Sequence, residues 1–232
     1  MSQPRSEGTD RWLDPRAYLV LADREPVFAR LITRYGHPSP FDRRDGGRTD
    51  SSQFAAMVLH IVGQQISITA AAHIYDRIAA ESMGVPTAES MLDLGVSGLR
   101  AAGLSAAKAS YVLALAQAQA GGAIDIEAMA DLDDQTIIDV LTSIRGIGLW
   151  SAQIFLIRNL ARHDILPAGD LGIRRAVARQ WQLAATPSPA QVSTRGLAWA
   201  PYRSYAAALL WRSLKPADAE SGVTADRVHE HG

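Results

Sequence analysis

The sequence of 232 residues contains no cysteine. Disulfide bonds, zinc sites with thiolate ligands, cysteine-ligated iron–sulfur clusters and a cysteine nucleophile are thereby excluded. The sequence also lacks any apolar run near the roughly 18 residues that a membrane-spanning helix requires. Its first ten residues, MSQPRSEGTD, lack the apolar core of a signal peptide. We therefore expect a protein of the cytoplasm that has no membrane partner.

Strand signals are missing as well. No segment shows a convincing alternation of apolar and polar residues, which is the pattern of a half-buried strand. Instead, capping residues and prolines precede apolar residues that recur at the helical period. These signals predict helix starts at Asp14-Pro15, Pro26, Ser51, Ser67, Thr87, Ser105, Asp133, Ser188-Pro189 and Pro201. The sequence therefore predicts an all-α protein of about ten helices.

Charge is distributed unevenly, although the net charge is only −1. An acidic block without a base comprises Asp125, Glu127, Asp131, Asp133, Asp134 and Asp139. Ten bases and two carboxylates then give residues 145–215 a net charge of +8. Such asymmetry favours a polyanionic partner, but solvated helix faces explain the same pattern.

The stretch SIRGIGLWSAQI, residues 143–154, contains two glycines, Gly146 and Gly148, between two helical patterns. It nearly matches the dinucleotide fingerprint GxGxxG, and Asp170 follows about 20 residues later. That fingerprint must follow a strand, and the preceding segment has a helical period, so we reject it. A helix–hairpin–helix at about 134–161 fits better, with N–H groups of Gly146, Gly148 and Ser151 free to bind a phosphate. A plain turn between two helices is the alternative.

Four blocks of sequence resemble the helix–hairpin–helix DNA glycosylase superfamily, and most of all its branch of 3-methyladenine DNA glycosylase II enzymes, which excise alkylated bases. They are IVGQQIS (61–67), IRGIGLWSAQ (144–153), DILPAGDLGIRR (164–175) and WAPYRSYAAALLW (199–211), in the order and at the spacings of the family. The resemblance implies a two-lobed all-α fold with the active site in the cleft. Residues 52–163 would form the central lobe, and residues 1–51 would pack with residues 164–232.

The resemblance implies that Asp170 is the catalytic aspartate. Cleavage of an N-glycosidic bond builds positive charge on the sugar, and a carboxylate stabilises that charge and can activate water. Without the flanking blocks, an ordinary helix N-cap would be the simpler interpretation of Asp170.

Recognition of the damaged base is assigned by resemblance to Trp150 and Tyr202, since a cationic alkylated purine stacks favourably on aromatic faces. Ile154 also belongs to this base pocket, at a position where some relatives have an aromatic residue. The later tryptophans are expected to pack in the core: Trp181, Trp199 and Trp211.

The base must leave the duplex to react, and a wedge residue then fills the gap. The resemblance implies Gln65 as this wedge, with Gln64 and Ile66 beside it. Two glutamines at a helix end are otherwise typical of a solvent-facing surface.

Lysine is scarce: only Lys108 and Lys215 occur. Bifunctional members of the superfamily carry a lysine nucleophile just after the glycine turn, where this chain has Trp150. We therefore predict a monofunctional glycosylase that leaves an abasic site and initiates base excision repair. Two alternatives stay open: a non-catalytic DNA-binding module, and a bifunctional glycosylase and lyase for oxidised bases.

The resemblance also implies a monovalent cation, Na⁺ or K⁺, on the main-chain carbonyls of Thr142, Ile144 and Ile147. No other cofactor is expected. The expected partner is double-stranded DNA with alkylated bases, bound by a monomer that associates with the nucleoid in the cytoplasm.

Overall fold

A computed structural model describes residues 12–43 and 45–216. Within these residues there are eleven α-helices and no strand, which confirms the all-α prediction. The outermost parts of the predicted terminal segments, residues 1–11 and 217–232, lie outside the described residues. The helices are α1 (Ala17–Arg24), α2 (Pro26–Tyr35), α3 (Gln53–Gly63), α4 (Ile68–Glu81), α5 (Ala88–Ala101), α6 (Ala106–Ala120), α7 (Asp134–Ser143), α8 (Leu149–Arg158), α9 (Leu171–Gln180), α10 (Pro189–Gly196) and α11 (Arg203–Ser213).

Side-chain caps set most of the helix starts. Each predicted cap accepts a hydrogen bond from the backbone N–H three residues further on, and the five are Ser67, Thr87, Ser105, Asp133 and Ser188. Pro26 is the first residue of α2, as predicted, and Gly36 ends that helix with a positive φ of 68°. These local signals explain why most of the helices begin where the sequence indicated.

Ser52, and not the predicted Ser51, caps α3. The reason lies in the acidic block. The Glu127 carboxylate accepts hydrogen bonds from the N–H groups of Gln53 (2.9 Å) and Phe54 (3.0 Å) and from the Ser52 hydroxyl (3.0 Å). A carboxylate from 75 residues away therefore fixes this helix start.

Three other boundaries differ from the prediction. Helix α1 begins at Ala17 and α11 at Arg203, each two residues after the predicted proline. Helix α8 ends at Arg158 and not near 161. The N–H groups of Asn159 and Leu160 both donate to the Phe155 carbonyl, and Ala161 has a positive φ of 50°, so the chain leaves the helix there.

Helix packing distinguishes three sets of helices. Helices α1, α2, α9, α10 and α11 pack with one another, around buried residues that include Phe28 and Trp199. Helices α3 to α6 pack in sequence order, and α7 packs on α8. The Gln64 side chain, which follows α3, connects the third set to the second through a hydrogen bond to the Gly146 carbonyl. The lobe boundaries at residues 51/52 and 163/164 stay a prediction. No helix of the described residues is both long and apolar enough to cross a membrane.

The segment that joins the lobes is held rigidly. Ile165 and Leu166 are buried, and the Ser204 hydroxyl accepts the N–H of Ile165 (3.1 Å). Asp164 accepts two hydrogen bonds from the guanidinium of Arg203, at 2.7 and 2.8 Å. This anchoring fixes the start of α9 beside α8 and α11.

Candidate active site

Asp170 is the N-cap of α9, and its carboxylate is shared among three helices. Oδ1 accepts the N–H of Ile173 at 2.7 Å, which is the ordinary capping bond. Oδ1 also accepts the indole N–H of Trp211 in α11 at 3.0 Å, and Oδ2 accepts that of Trp150 in α8 at 2.8 Å. The carboxylate is therefore held in one orientation between the two lobes, which is more than a cap requires.

Trp150 links this carboxylate to a cavity. It is the second residue of α8 and is 43% exposed. Its indole ring lies 5.3 Å from the ring of His60, with a tilt of 36° between the planes. One edge of Trp150 therefore faces Asp170, and its ring forms part of the cavity wall.

The cavity has a volume of about 460 Å³, within the range of roughly 300–1,000 Å³ typical of small-molecule pockets. Six of the predicted site residues line it: Gln64, Gln65, Ile66, Trp150, Ser151 and Ile154. Ile154 is only 3% exposed and gives the wall an aliphatic surface.

The loop after α3 forms part of the wall of this cavity. The Gln64 side chain donates to the Gly146 carbonyl (3.1 Å), so it braces the loop against the hairpin. Gln65 is exposed and has a positive φ of 60°, a conformation uncommon for residues other than glycine. Ile66 is 39% exposed. The side chains of Gln65 and Ile66 are therefore exposed, whereas that of Gln64 is hydrogen-bonded within the protein, and the wedge role stays a prediction.

The two hairpin glycines are required for different reasons. Gly146 has a φ of +94°, and a Cβ there would lie 2.1 Å from the ring of Tyr111. Gly148 has an ordinary φ of −93° and would place a Cβ in open space. The fold therefore requires Gly146, whereas the packing of the protein gives no reason for Gly148.

Gly148 is also the N-cap of α8, where Leu149 and Trp150 are exposed. The first N–H groups of a helix have no acceptor within it, and together with the helix dipole they form an anion-binding site. Because Gly148 has no side chain, the approach to these N–H groups is open, and phosphate binding there stays a prediction.

More than half of the chain matches a known protein family. Residues 58–201 match the family described as HhH-GPD superfamily base excision DNA repair protein. The chain belongs to this family.

Individual relatives extend the match over most of the chain. DNA-3-methyladenine glycosylase 1 of Schizosaccharomyces pombe is 30% identical over 206 residues, which cover 88% of this chain and 89% of the relative. A solved S. pombe 3-methyladenine DNA glycosylase in complex with abasic DNA matches with a TM-score of 0.77 at 30% identity, over 88% of this chain and 98% of that one. DNA-3-methyladenine glycosidase from Bacillus halodurans matches with a TM-score of 0.70 at 28% identity, over 86% and 89%.

Tyr202 does not line the cavity of this HhH-GPD protein. Its hydroxyl donates to Asp14 Oδ2 at 2.8 Å, and this hydrogen bond raises the pKa of Tyr202. Its ring packs edge-on against Tyr205. In the structure, Tyr202 therefore anchors the segment before α1 to the start of α11, and the sequence-based placement in the base pocket is not supported.

The residues proposed for a cation lie together along a groove beside the hairpin. Thr142, Ile144 and Ile147 all line it, and its volume is about 560 Å³. The Ile144 carbonyl already accepts the N–H of Ile147 at 3.1 Å and has one further lone pair. The described residues contain no cluster of His, Cys, Asp or Glu side chains that could hold a metal. The main-chain cation site stays a prediction.

Sequence reasoning missed three residues of the site. Trp211 packs against the core, as expected, and its indole also donates to Asp170. His60 lines the cavity, where burial and then the nearby charge of Arg158 lower its pKa to about 4. His60 is therefore neutral at neutral pH. Arg43 reaches the same cavity from the loop before α3. One signal in the sequence could have identified His60: it lies four residues, or one helical turn, before Gln64.

Much of the C-terminal positive charge is used inside the fold. Arg203 pairs with Asp164, and Arg162 lies 3.1 Å from Asp134. The Arg174 guanidinium donates to the Pro187 carbonyl at 2.7 Å. Arg145, by contrast, is exposed and lines the hairpin groove. The net charge of this segment therefore overstates the positive surface that is available to DNA.

Proposed function

We propose that this protein is a monofunctional DNA glycosylase that hydrolyses the N-glycosidic bond of alkylated bases, of the 3-methyladenine and 7-methylguanine type, in double-stranded DNA. Base excision repair would begin with this step. The observation that carries the proposal is the Asp170 carboxylate, which accepts hydrogen bonds from Trp211 and from Trp150, a residue that also lines a cavity large enough for a base. The names of the S. pombe and B. halodurans relatives support the same class of substrate.

The chemistry follows from the positions of these groups. The target base would leave the duplex and enter the cavity, while Gln65 and Ile66 fill the gap in the stack. As the bond between base and sugar breaks, its electron pair goes to the base and positive charge develops on the sugar. The Asp170 carboxylate stabilises that charge and orients the water that adds to the sugar. A cationic alkylated purine departs neutral and needs no proton.

The lysines support hydrolysis without a lyase step. Lys108 lines the hairpin groove and not the cavity, and its ammonium donates to the Val62 carbonyl at 2.8 Å. Burial lowers the pKa of Lys108, but its amine is committed to this contact. Lys215 lies beyond the end of α11. Trp150 occupies the position after the glycine turn, so we assign the attack on the sugar to water.

An excision assay tests the function directly. The protein is incubated with methylated duplex DNA, the released bases are identified by chromatography, and borohydride is added in a parallel reaction. We expect released 3-methyladenine and 7-methylguanine, intact strands with abasic sites, and no covalent adduct. DNA binding without base release would instead indicate a binding module. A borohydride-trapped adduct would indicate a lyase.

Phosphate binding by the hairpin is part of the proposal, and its two glycines offer a matched pair of variants. Gly148→Ala should keep the fold and weaken DNA binding several-fold, because the added methyl group blocks the approach of a phosphate. Gly146→Ala should instead destabilise the protein, because its Cβ meets Tyr111. Melting temperature and DNA affinity, measured on both variants, separate the two roles. Unchanged affinity in Gly148→Ala would remove the hairpin from the interface.

The cation, the monomeric state and the cytoplasmic location are further parts of the proposal. Replacing Na⁺ and K⁺ with tetramethylammonium at constant ionic strength should weaken DNA binding if the carbonyls of Thr142, Ile144 and Ile147 hold a cation. Light scattering should give the mass of one chain. Fluorescence of a tagged protein should follow the nucleoid.

A further inference from the structure

Arg43 presents unused hydrogen-bond donors beside the cavity. It lies in the loop between α2 and α3, and its Nη1 donates to the Asp50 carbonyl at 3.0 Å. Its Nε and Nη2 atoms are buried and have no hydrogen-bond partner. Arg43 is one of the residues that line the cavity beside Trp150. A guanidinium with two buried and unpaired donors is costly, so its position requires an explanation.

Two other residues of the same cavity share this property. The Nε2 atom of His60 and the Nδ2 atom of Asn159 are also buried without a hydrogen-bond partner. Buried polar atoms in native proteins are rarely left unpaired. The atoms of Arg43 and Asn159 are donors, so their convergence on one cavity indicates a ligand whose edge carries hydrogen-bond acceptors.

The other charged residues of the cavity wall already have partners. The Arg48 guanidinium donates to both carboxylate oxygens of Asp76, at 2.6 and 3.1 Å. Asp45 accepts the N–H of Gly47 and the hydroxyl of Thr49. Arg158 lies over the ring of Trp211, 5.9 Å from its centroid. Arg43 therefore differs from Arg48 in having donors to offer to a ligand, although both line the same cavity.

We propose that Arg43 determines specificity by stabilising the negative charge on a neutral base as it leaves. This inference rests on the proposed glycosylase function. When the bond from N9 to the sugar breaks, its electron pair stays on the base. A neutral lesion such as ethenoadenine therefore departs as an anion, and the positive charge appears on the sugar beside Asp170. Water adds to the sugar and loses a proton, which neutralises the departed base.

A buried guanidinium favours this step, because a charge-assisted hydrogen bond strengthens as negative charge develops on its acceptor. A cationic base such as 7-methylguanine departs neutral, so Arg43 has no developing charge to stabilise. The positive charge of Arg43 opposes the entry of a cationic base into the cavity, and this cost is recovered when the base becomes neutral, so the net effect on its excision from the bound duplex is small. Arg43 thus extends the range of leaving bases from cationic to neutral lesions.

The test compares two duplexes, one with a single ethenoadenine and one with a single 7-methylguanine. Excision rates are measured in single turnover with saturating enzyme, which removes differences in DNA affinity. Arg43→Met should lose about 10- to 100-fold on ethenoadenine, the effect of removing one charged hydrogen bond. It should change the rate on 7-methylguanine less than about threefold. Arg43→Lys should recover part of the ethenoadenine rate, since it retains the charge.

Arg48→Met is the matched control, because it removes a guanidinium from the same cavity wall whose donors are already paired with Asp76. It should affect both duplexes equally. Melting temperatures show which of the variants are folded. If Arg43→Met is not folded, the rates of Arg43→Lys on the two duplexes, relative to the wild type, test the inference instead.

Several results would overturn the inference. Equal losses on both duplexes in Arg43→Met would make Arg43 a structural residue, and unchanged rates would remove it from the site. A wild-type protein that releases 7-methylguanine but no ethenoadenine would also contradict it. Failure of the wild-type protein to release any damaged base is a separate result, since it refutes the proposed function itself.

Discussion

Two aspartates, Asp133 and Asp170, begin helices in the same way and differ in everything beyond the cap. Asp133 precedes α7, and its Oδ1 accepts the N–H of Thr136 at 3.0 Å. Asp170 precedes α9, and its Oδ1 accepts the N–H of Ile173 at 2.7 Å. Each satisfies at least one of the free N–H groups at the start of its helix.

The two aspartates differ in the other groups that donate hydrogen bonds to their carboxylates. Asp133 is exposed and takes its other hydrogen bonds from its own helix, from the N–H of Gln135 and the hydroxyl of Thr136. Asp170 takes its others from indoles that lie 20 and 41 residues away in the chain. Local sequence therefore identifies a cap in both cases. The long-range donors show which cap has a further role.

The largest difference should appear when each carboxylate becomes an amide. Asp170→Asn should lower the single-turnover rate of base excision by at least about 100-fold, because the amide cannot stabilise the positive charge on the sugar. DNA affinity should persist. Asp133→Asn should excise at the wild-type rate, since asparagine also caps the helix and the residue lies outside the site.

Excision assays on methylated DNA check this pair of variants, with melting temperatures to confirm that both are folded. Wild-type excision by Asp170→Asn would show that the two aspartates are alike and that the proposed chemistry is wrong.

A smaller effect is expected from the indoles. Trp150→Phe and Trp211→Phe each remove one donor to Asp170 and keep an aromatic ring, so excision should fall about tenfold. Thr136→Val removes the corresponding side-chain donor to Asp133 and should leave excision unchanged. The three variants are compared in the same single-turnover assay. If neither tryptophan variant slowed excision, the orientation of Asp170 by the indoles would have no role in the reaction.

The fold was largely accessible from sequence because its signals are local. Caps such as Ser67 and Ser105 act on amides three residues away, so the pattern alone locates the helix. The start of α3 was misplaced by one residue because Glu127, far along the chain, completes its cap. Local patterns cannot report such a contact.

For the site, too, short-range sequence patterns were informative and long-range contacts were not. Trp150 and Ile154 lie on one helix and line the cavity, as does Gln65 on its loop, and their roles toward a base stay predictions. Tyr202 does not line the cavity, because its hydroxyl donates to Asp14, which lies 188 residues earlier in the chain. Trp211 was missed, because nothing near it in sequence indicates a donor to Asp170.

The cap of α7 should matter for stability alone. Asp133→Ala should lower the melting temperature by about 2–4 °C, the effect of losing one N-cap in a protein of this size. Its excision rate, measured at a temperature where both proteins are folded, should equal that of the wild type. A loss of excision at unchanged stability would show that Asp133, like Asp170, takes part in the reaction.

The smallest effect concerns the pH dependence of this same cap. Hydrogen bonds from the Thr136 side chain, and then from its backbone, lower the pKa of Asp133 in the folded protein. The charged form is thus favoured in the folded state, and its contribution is fully present above the unfolded-state pKa of about 3.9. Because the unfolded state binds the proton first, that contribution is lost as the pH falls through this value towards the folded-state pKa.

The pKa values of Asp14 and Asp76 are also lowered, but these two carboxylates take up protons in the wild type and in Asp133→Asn alike. The difference in melting temperature between these two proteins therefore isolates Asp133. It should be largest near pH 7 and shrink below about pH 4. A difference that stayed constant down to pH 3 would mean that the charge of Asp133 contributes nothing beyond what a neutral cap supplies.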